Sequence, residues 1–263
     1  MPRFVLFALV ALLVTACGDG TNATPTAEFG ANQAITWDRS PDNVVFRAEI
    51  TGGNREQDFQ SRNDIAPCTV YGDNRVVWVN DLGNFRTEVL FDQVSDDAIR
   101  QFVDYVTIVD RIYSYPGRAS VQLPSQTVPV YEQLSINVAG QAFVSDAFAG
   151  WPADYFQNVL DRCKNISQTP VLFEPTAAWV SAADVAFSFE FPSYPWEANA
   201  AGLSLAELAT SGERRWISDN NVRILWNLIR TSPAGFRMLE GERMIQLALE
   251  VPRVTRYSPA AQG

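Results

Sequence analysis

Histidine is absent from all 263 residues. Without an imidazole the chain cannot build a Ser-His-Asp or Cys-His nucleophile system, or a histidine-rich zinc site. Lysine is nearly absent as well. Lys164 is the only one, and its place beside Cys163 at an expected helix end reads as a C-terminal helix charge rather than a Schiff-base or dyad residue. No G-x-x-x-x-G-K-[ST] loop, G-x-G-x-x-G loop or EF-hand is present, so nothing marks a nucleotide or calcium site. The pattern therefore names no catalytic residue, no metal ligand and no cofactor.

Positive charge is also scarce. With 20 basic and 30 acidic residues the chain carries −10, and the arginines are scattered along it, which argues against a nucleic-acid partner. An anionic lipid surface would repel such a domain, so attachment to a membrane would need something other than electrostatics.

The N-terminus supplies it. A short basic start, Met1-Pro2-Arg3, precedes eleven apolar residues, Phe4 to Val14. That run is well short of the ~20 needed to span a bilayer and fits the ~7–15 of a signal-peptide core. It ends in Val14-Thr15-Ala16-Cys17, which resembles the lipobox of bacterial lipoproteins, with Val14 where leucine is most common. The resemblance implies a signal peptide over 1–16, removed to leave Cys17 as a diacylglyceryl-modified N-terminus, lipid-anchored at the extracytoplasmic face of the cell membrane. The competing reading is an ordinary secretory signal cleaved near Ala16. Residues 17–34 are rich in Gly, Thr, Asn and Ala and read as a flexible tether with a reach of roughly 20–25 Å.

Lipidation would leave Cys68 and Cys163 as a pair. In an oxidising compartment they read as a disulfide closing a loop of about 95 residues, which could stabilise the fold by roughly 4–5 kcal/mol; two buried free thiols are the alternative.

From 35 to 259 the pattern is that of one extracytoplasmic domain, with possible halves at 35–165 and 171–259. Val44–Ile50 has strand character, and Cys68–Tyr71 and Arg75–Asn80 flank a Gly72-Asp73-Asn74 turn. The stretch from Tyr71 to Val77 resembles the Tyr-Gly-Asp-Gly-x-Val hairpin of uncharacterised bacterial lipoproteins, with Asn74 in place of the second glycine; that resemblance implies no activity. Two amphipathic helices are expected, opening at Val94-Ser95-Asp96-Asp97 and Ile217-Ser218-Asp219-Asn220, each with serine as N-cap and a hydrophobic staple. Their apolar stripes, Ile99-Phe102-Val103-Val106 and Val222-Leu225-Trp226-Ile229, keep the same spacing. Hairpins are expected around Ala139-Gly140 and Glu240-Gly241-Glu242, and a shorter helix from about Ala153 to Lys164. The fold class this implies is α+β: an antiparallel or mixed sheet covered by helices, with two similar strand–helix–strand halves as one possible organisation.

Carboxylates are the remaining catalytic currency. Asp92 with Asp96 and Asp97, or Asp73 with Asp81, are the candidates, though helix starts and turns already account for them. The aromatic and proline run from Phe189 to Trp196 is the candidate recognition surface, with Tyr194 and Trp196 as its binding residues; packing over the core as a linker is the competing reading. Two functions follow. One is a non-catalytic, lipid-anchored binding protein for an envelope protein or glycan, and the other a carboxylate-dependent hydrolase of envelope polymers.

Overall fold

A row of side chains runs across five strands and decides which way the larger sheet faces. Leu134, Ala48, Cys68, Trp78 and Leu90 stand opposite one another in successive antiparallel pairs, and directly paired residues share a face. The computed structural model that shows this describes residues 35–53, 58–123 and 129–262. The signal segment, Cys17 and the tether lie outside the described residues.

The larger sheet contains β1 (Val44–Thr51), β2 (Cys68–Tyr71), β3 (Arg75–Gly83), β4 (Arg86–Gln93), β5 (Tyr131–Val138), β6 (Gln141–Asp146) and β7 (Val171–Leu172). Their spatial order is β6-β5-β1-β2-β3-β4-β7, and every pairing is antiparallel. A smaller sheet orders β8 (Ala178–Asp184), β9 (Ser193–Pro195), β10 (Arg215–Ile217), β11 (Arg237–Glu240) and β12 (Arg243–Glu250) as β10-β8-β12-β11-β9. It is mixed, because β9 runs parallel to β11. The helices are α1 (Asp96–Asp104), α2 (Ala119–Gln122), α3 (Tyr155–Lys164), α4 (Ala198–Ala201), α5 (Leu205–Ser211) and α6 (Asn220–Thr231). The fold is α+β. No helix among the described residues is long and apolar enough to cross a membrane.

Alternation along β2, β3 and β4 feeds two cores. One face carries Cys68, Val70, Val76 and Trp78 against Ile99, Phe102 and Val103 of α1 and Phe156, Val159 and Cys163 of α3. The other carries Tyr71, Val77 and Val89 against α6 and the inner face of the smaller sheet, where Val180, Leu247 and Leu249 lie. Cys68 and Cys163 form a disulfide that fastens α3 to β2. Lys164, at the end of α3, reaches past a helix-end role: its Nζ donates to the Val79 carbonyl at 2.8 Å and the Asn80 side chain at 3.3 Å.

The expected turns form, each by its own means. Asn74 takes φ +70°, whereas Gly72 is required for space, since a Cβ there would meet the Asp38 carbonyl oxygen at 2.1 Å. At the β5–β6 turn Ala139 and Gly140 both have positive φ.

The two expected helices bury the expected stripes, but the halves differ. Ser95 caps α1, accepting from the Ala98 N–H at 3.2 Å, while Asp219 rather than Ser218 caps α6, accepting from Asn221 N at 2.8 Å. A carboxylate is an equally good cap acceptor, and it shifts the helix start by one residue, so Ile217 closes β10 instead of stapling α6. The hairpins after the helices also dock differently. The first strand, β5, joins β1, whereas the second strand, β12, joins β8.

Nor do the two stretches fold apart. Ala34–Gly263 clusters as one unit, and Asn63 shows why. Beyond the end of β11 the edge of β12 is open, and the Asn63 amide fills it, donating to Leu247 O at 3.0 Å and accepting from Leu249 N at 2.7 Å. Further ties run from Arg256 to Glu49 and from Arg253 to Asp42.

Replacing Cys68 and Cys163 together with alanine is expected to cost about 2–5 kcal/mol of stability, read from urea unfolding of the oxidised parent and the variant. An unchanged midpoint would show that α3 is held by core packing alone.

Candidate functional site

The last two rings of the aromatic run face inward. β9 pairs with β11 so that Tyr194 stands opposite Met238, and Tyr194 is half-buried, edge-on to Phe236 at 5.9 Å. Trp196 is 8% exposed and donates its Nε1–H to Leu203 O at 2.8 Å. Tyr194 and Trp196 are thus packing residues, which corrects the expectation of a recognition surface. Residues two apart on a strand share a face, and the pairing of β9 with β11 turns that face toward the second core, where both side chains pack. The exposed rings come earlier, Phe187 at 64% and Phe189 at 93%, packed on each other at 4.6 Å. Replacing Trp196 with alanine is expected to destabilise by about 3–5 kcal/mol, measured as a shift in the thermal midpoint; a shift within error would return Trp196 to the surface.

The candidate carboxylates are engaged by their own surroundings. Asp96 bonds the Arg39 guanidinium through both oxygens and accepts from Asn74 at 2.6 Å. Hydrogen bonds from Arg39 and then Asn74 hold its carboxyl well below the usual range, so it is a poor proton donor or base near neutral pH. Asp97 pairs with Arg100, Asp92 accepts from Ser167 at 2.6 Å, Asp73 binds Arg75 and Asp81 caps Gly83 N. Among the described residues no three His, Cys, Asp or Glu side chains converge as a metal site.

A carboxylate without a sequence signal lies deeper. Glu250 is fully buried at the end of β12 and is held through both oxygens by Arg214, at 2.6 and 3.1 Å. Strand-end position and the lead into β10 create this pair, so only the tertiary fold reveals it. Arg214→Ala is expected to cost about 2–3 kcal/mol in denaturant titration, less than the ~3–5 of a fully buried pair because the arginine side is partly exposed; an effect below that of a surface pair would mean that water solvates Glu250.

The site with the best binding geometry lies where the β3–β4 hairpin meets α6. Two cavities of about 620 and 440 Å³ share Thr87 and Arg230 as their common wall. Arg230 lies over the Trp226 ring at 4.8 Å and donates to Asn63 O, and its Nε is buried without a hydrogen-bond partner. Burial pushes its pKa down to about 10. Exposed apolar side chains line the smaller cavity: Leu82 is 49% exposed, Leu172 58% and Ile224 47%.

Alongside it the sheet edge is open. β7 covers β4 only at Leu90 and Phe91, with Phe173 N adding one bond to Val89 O at 2.8 Å. Because strand residues alternate in the direction of their backbone groups, Thr87 is the next position whose N–H and C=O face outward, and among the described residues no strand pairs with it on that side. The hairpin tip beyond is strained. Asn84 and Phe85 have φ of +50° and +63°, a conformation that suits Asn-Gly and costs a bulky residue about 1–2 kcal/mol. Phe85 nevertheless stands there, 69% exposed, on the rim of the larger cavity. β4 lies outside the strands expected from pattern; its available signal is Gly83-Asn84 between apolar stretches.

No family model, curated protein or solved structure matches this chain.

Proposed function

We propose that this protein is a lipid-anchored binding protein of the bacterial envelope, held by Cys17 at the extracytoplasmic face of the membrane, that receives an extended segment of an envelope protein beside β4. The observation that carries the reading is the coincidence of an open strand edge at Thr87 with exposed apolar side chains in the adjoining groove. Edge strands present unpaired donors and acceptors, and natural proteins usually blunt them. Here the edge is partly used by β7 and then left open next to Leu82, Leu172 and Ile224, the arrangement by which an added strand gains main-chain bonds for affinity and pockets for specificity. The small apolar rim and the strained Phe85 support the same reading, since strain kept at an exposed position points to use.

Two experiments test it. Cys17→Ala should move the protein from the membrane to the soluble fraction; retention in the membrane with residues 1–16 uncleaved would sink the anchor. For the groove, a photo-crosslinking amino acid at position 85 should give a discrete adduct in intact cells, lost in Thr87→Pro. Proline removes only the edge N–H and is tolerated on edge strands, so the thermal midpoint should hold. An adduct indifferent to Thr87→Pro would exclude strand addition, and release of sugars or peptides from envelope material, abolished by one carboxylate substitution, would make the protein a hydrolase instead.

A further inference from the structure

A third cavity lies on the other face of the larger sheet and belongs to neither the groove nor the aromatic run. It has a volume of about 1010 Å³ and opens between α1 and α3, at the upper end of the ~300–1,000 Å³ common for small-molecule sites. Both helices turn a polar stripe toward it, with Gln101 on α1 and Asn158 on α3, followed by Asn165 just past the end of α3. None of these three carboxamide side chains makes a hydrogen bond among the described residues.

The chain is shaped to hold an acceptor at this cleft. After α1 the helix widens into a π-turn, Tyr105–Val109, closed by the Asp110 N–H donating to Tyr105 O at 2.9 Å. Such turns recur at functional sites because they displace a residue from the regular helical face. The Tyr155 hydroxyl donates to the Asp110 carbonyl at 3.0 Å, so both backbone groups of Asp110 are fixed. Its side chain lines the cleft, with one oxygen, Oδ2, packed out of solvent and receiving no hydrogen bond. Beside it Arg162 lies flat over the Tyr105 ring, 3.1 Å from the centroid, and its N–H groups meet no carboxylate within salt-bridge distance among the described residues.

Asp110 itself lines the cleft, and a carboxylate is an acceptor to which a ligand hydroxyl can donate. Fixed acceptors, planar guanidinium donors and carboxamides able to do both match a ligand in which each hydroxyl both donates and accepts. The charge of the cleft weighs against an acidic ligand, because Asp110 and Asp161 face a single Arg162. From these groups we infer that the α1–α3 cleft is a binding site for an uncharged saccharide chain, with Asp110 accepting from a sugar hydroxyl, Arg162 donating, and Asn158 and Gln101 bridging neighbouring hydroxyls.

Saturation-transfer NMR on the purified full-length protein tests the inference, using chitotetraose and maltotetraose at millimolar concentration. Transfer to the ring protons of at least one is expected. Asp110→Asn and the exposed-site variant Asn158→Ala should each weaken binding by about tenfold, the loss of one good hydrogen bond. Tyr105→Phe should bind like the parent and Tyr105→Ala should not, because the ring supports Arg162 and its hydroxyl is not required. No transfer from either sugar, or transfer that Asn158→Ala and Asp110→Asn leave unchanged while both variants melt like the parent, would overturn the site.

Discussion

Everything in this fold depends on a sheet that is buried on both faces. β2, β3 and β4 alternate Cys68, Trp78 and Leu90 on one side with Val77, Val89 and Phe91 on the other, so neither face can be left in water. Each apolar side chain moved out of water is worth roughly 1.5–3 kcal/mol. The first face is covered by helices that follow in sequence, and the second only by the C-terminal stretch. Core two therefore cannot close until α6 and β12 arrive, which is why the chain from Ala34 onward behaves as one unit. The disulfide acts within the first core, and Asn63 and the Arg256–Glu49 pair act across the two.

Local chemistry was the legible part of this sequence. Turns with Asn or Gly at positive φ, the Ser95 cap, both amphipathic stripes and the Cys68–Cys163 pair all rest on interactions within a few residues or on simple counting. What the sequence hid depends on partners far away. Ser218 and Asp219 are both good caps, and which of them accepts from Asn221 N is seen only in the folded chain. Trp196 belongs to a run rich in proline and exposed rings, yet a carbonyl from Leu203 and a parallel pairing to β11 bring it inside. Glu250 and Arg214 are 36 residues apart, and no periodicity connects them.

The candidate sites were hidden for the same reason. Thr87 is unremarkable in sequence; it matters because β7 stops short of it. Asp110 follows a helix and would pass for an ordinary C-terminal residue, although an acidic side chain there opposes the helix dipole. That local disagreement was the one signal available. Consistency between local preference and tertiary structure is the rule in a well-folded chain, and departures concentrate where something other than stability is selected. Phe85 in a left-handed turn is a second departure of this kind.

Both departures sit on the same scaffold but on opposite sides of it. The α1–α3 cleft lies over core one, and the β4 groove lies beside α6 over core two, with a sheet packed on both faces between them. A close-packed layer does not deform continuously, so a saccharide on one face and an extended peptide on the other would bind without obstructing each other. If both proposed sites are used, the domain would hold two dissimilar ligands at once. Linking them would raise the effective concentration of each for the other, through the rigid two-faced sheet rather than through any chemical step.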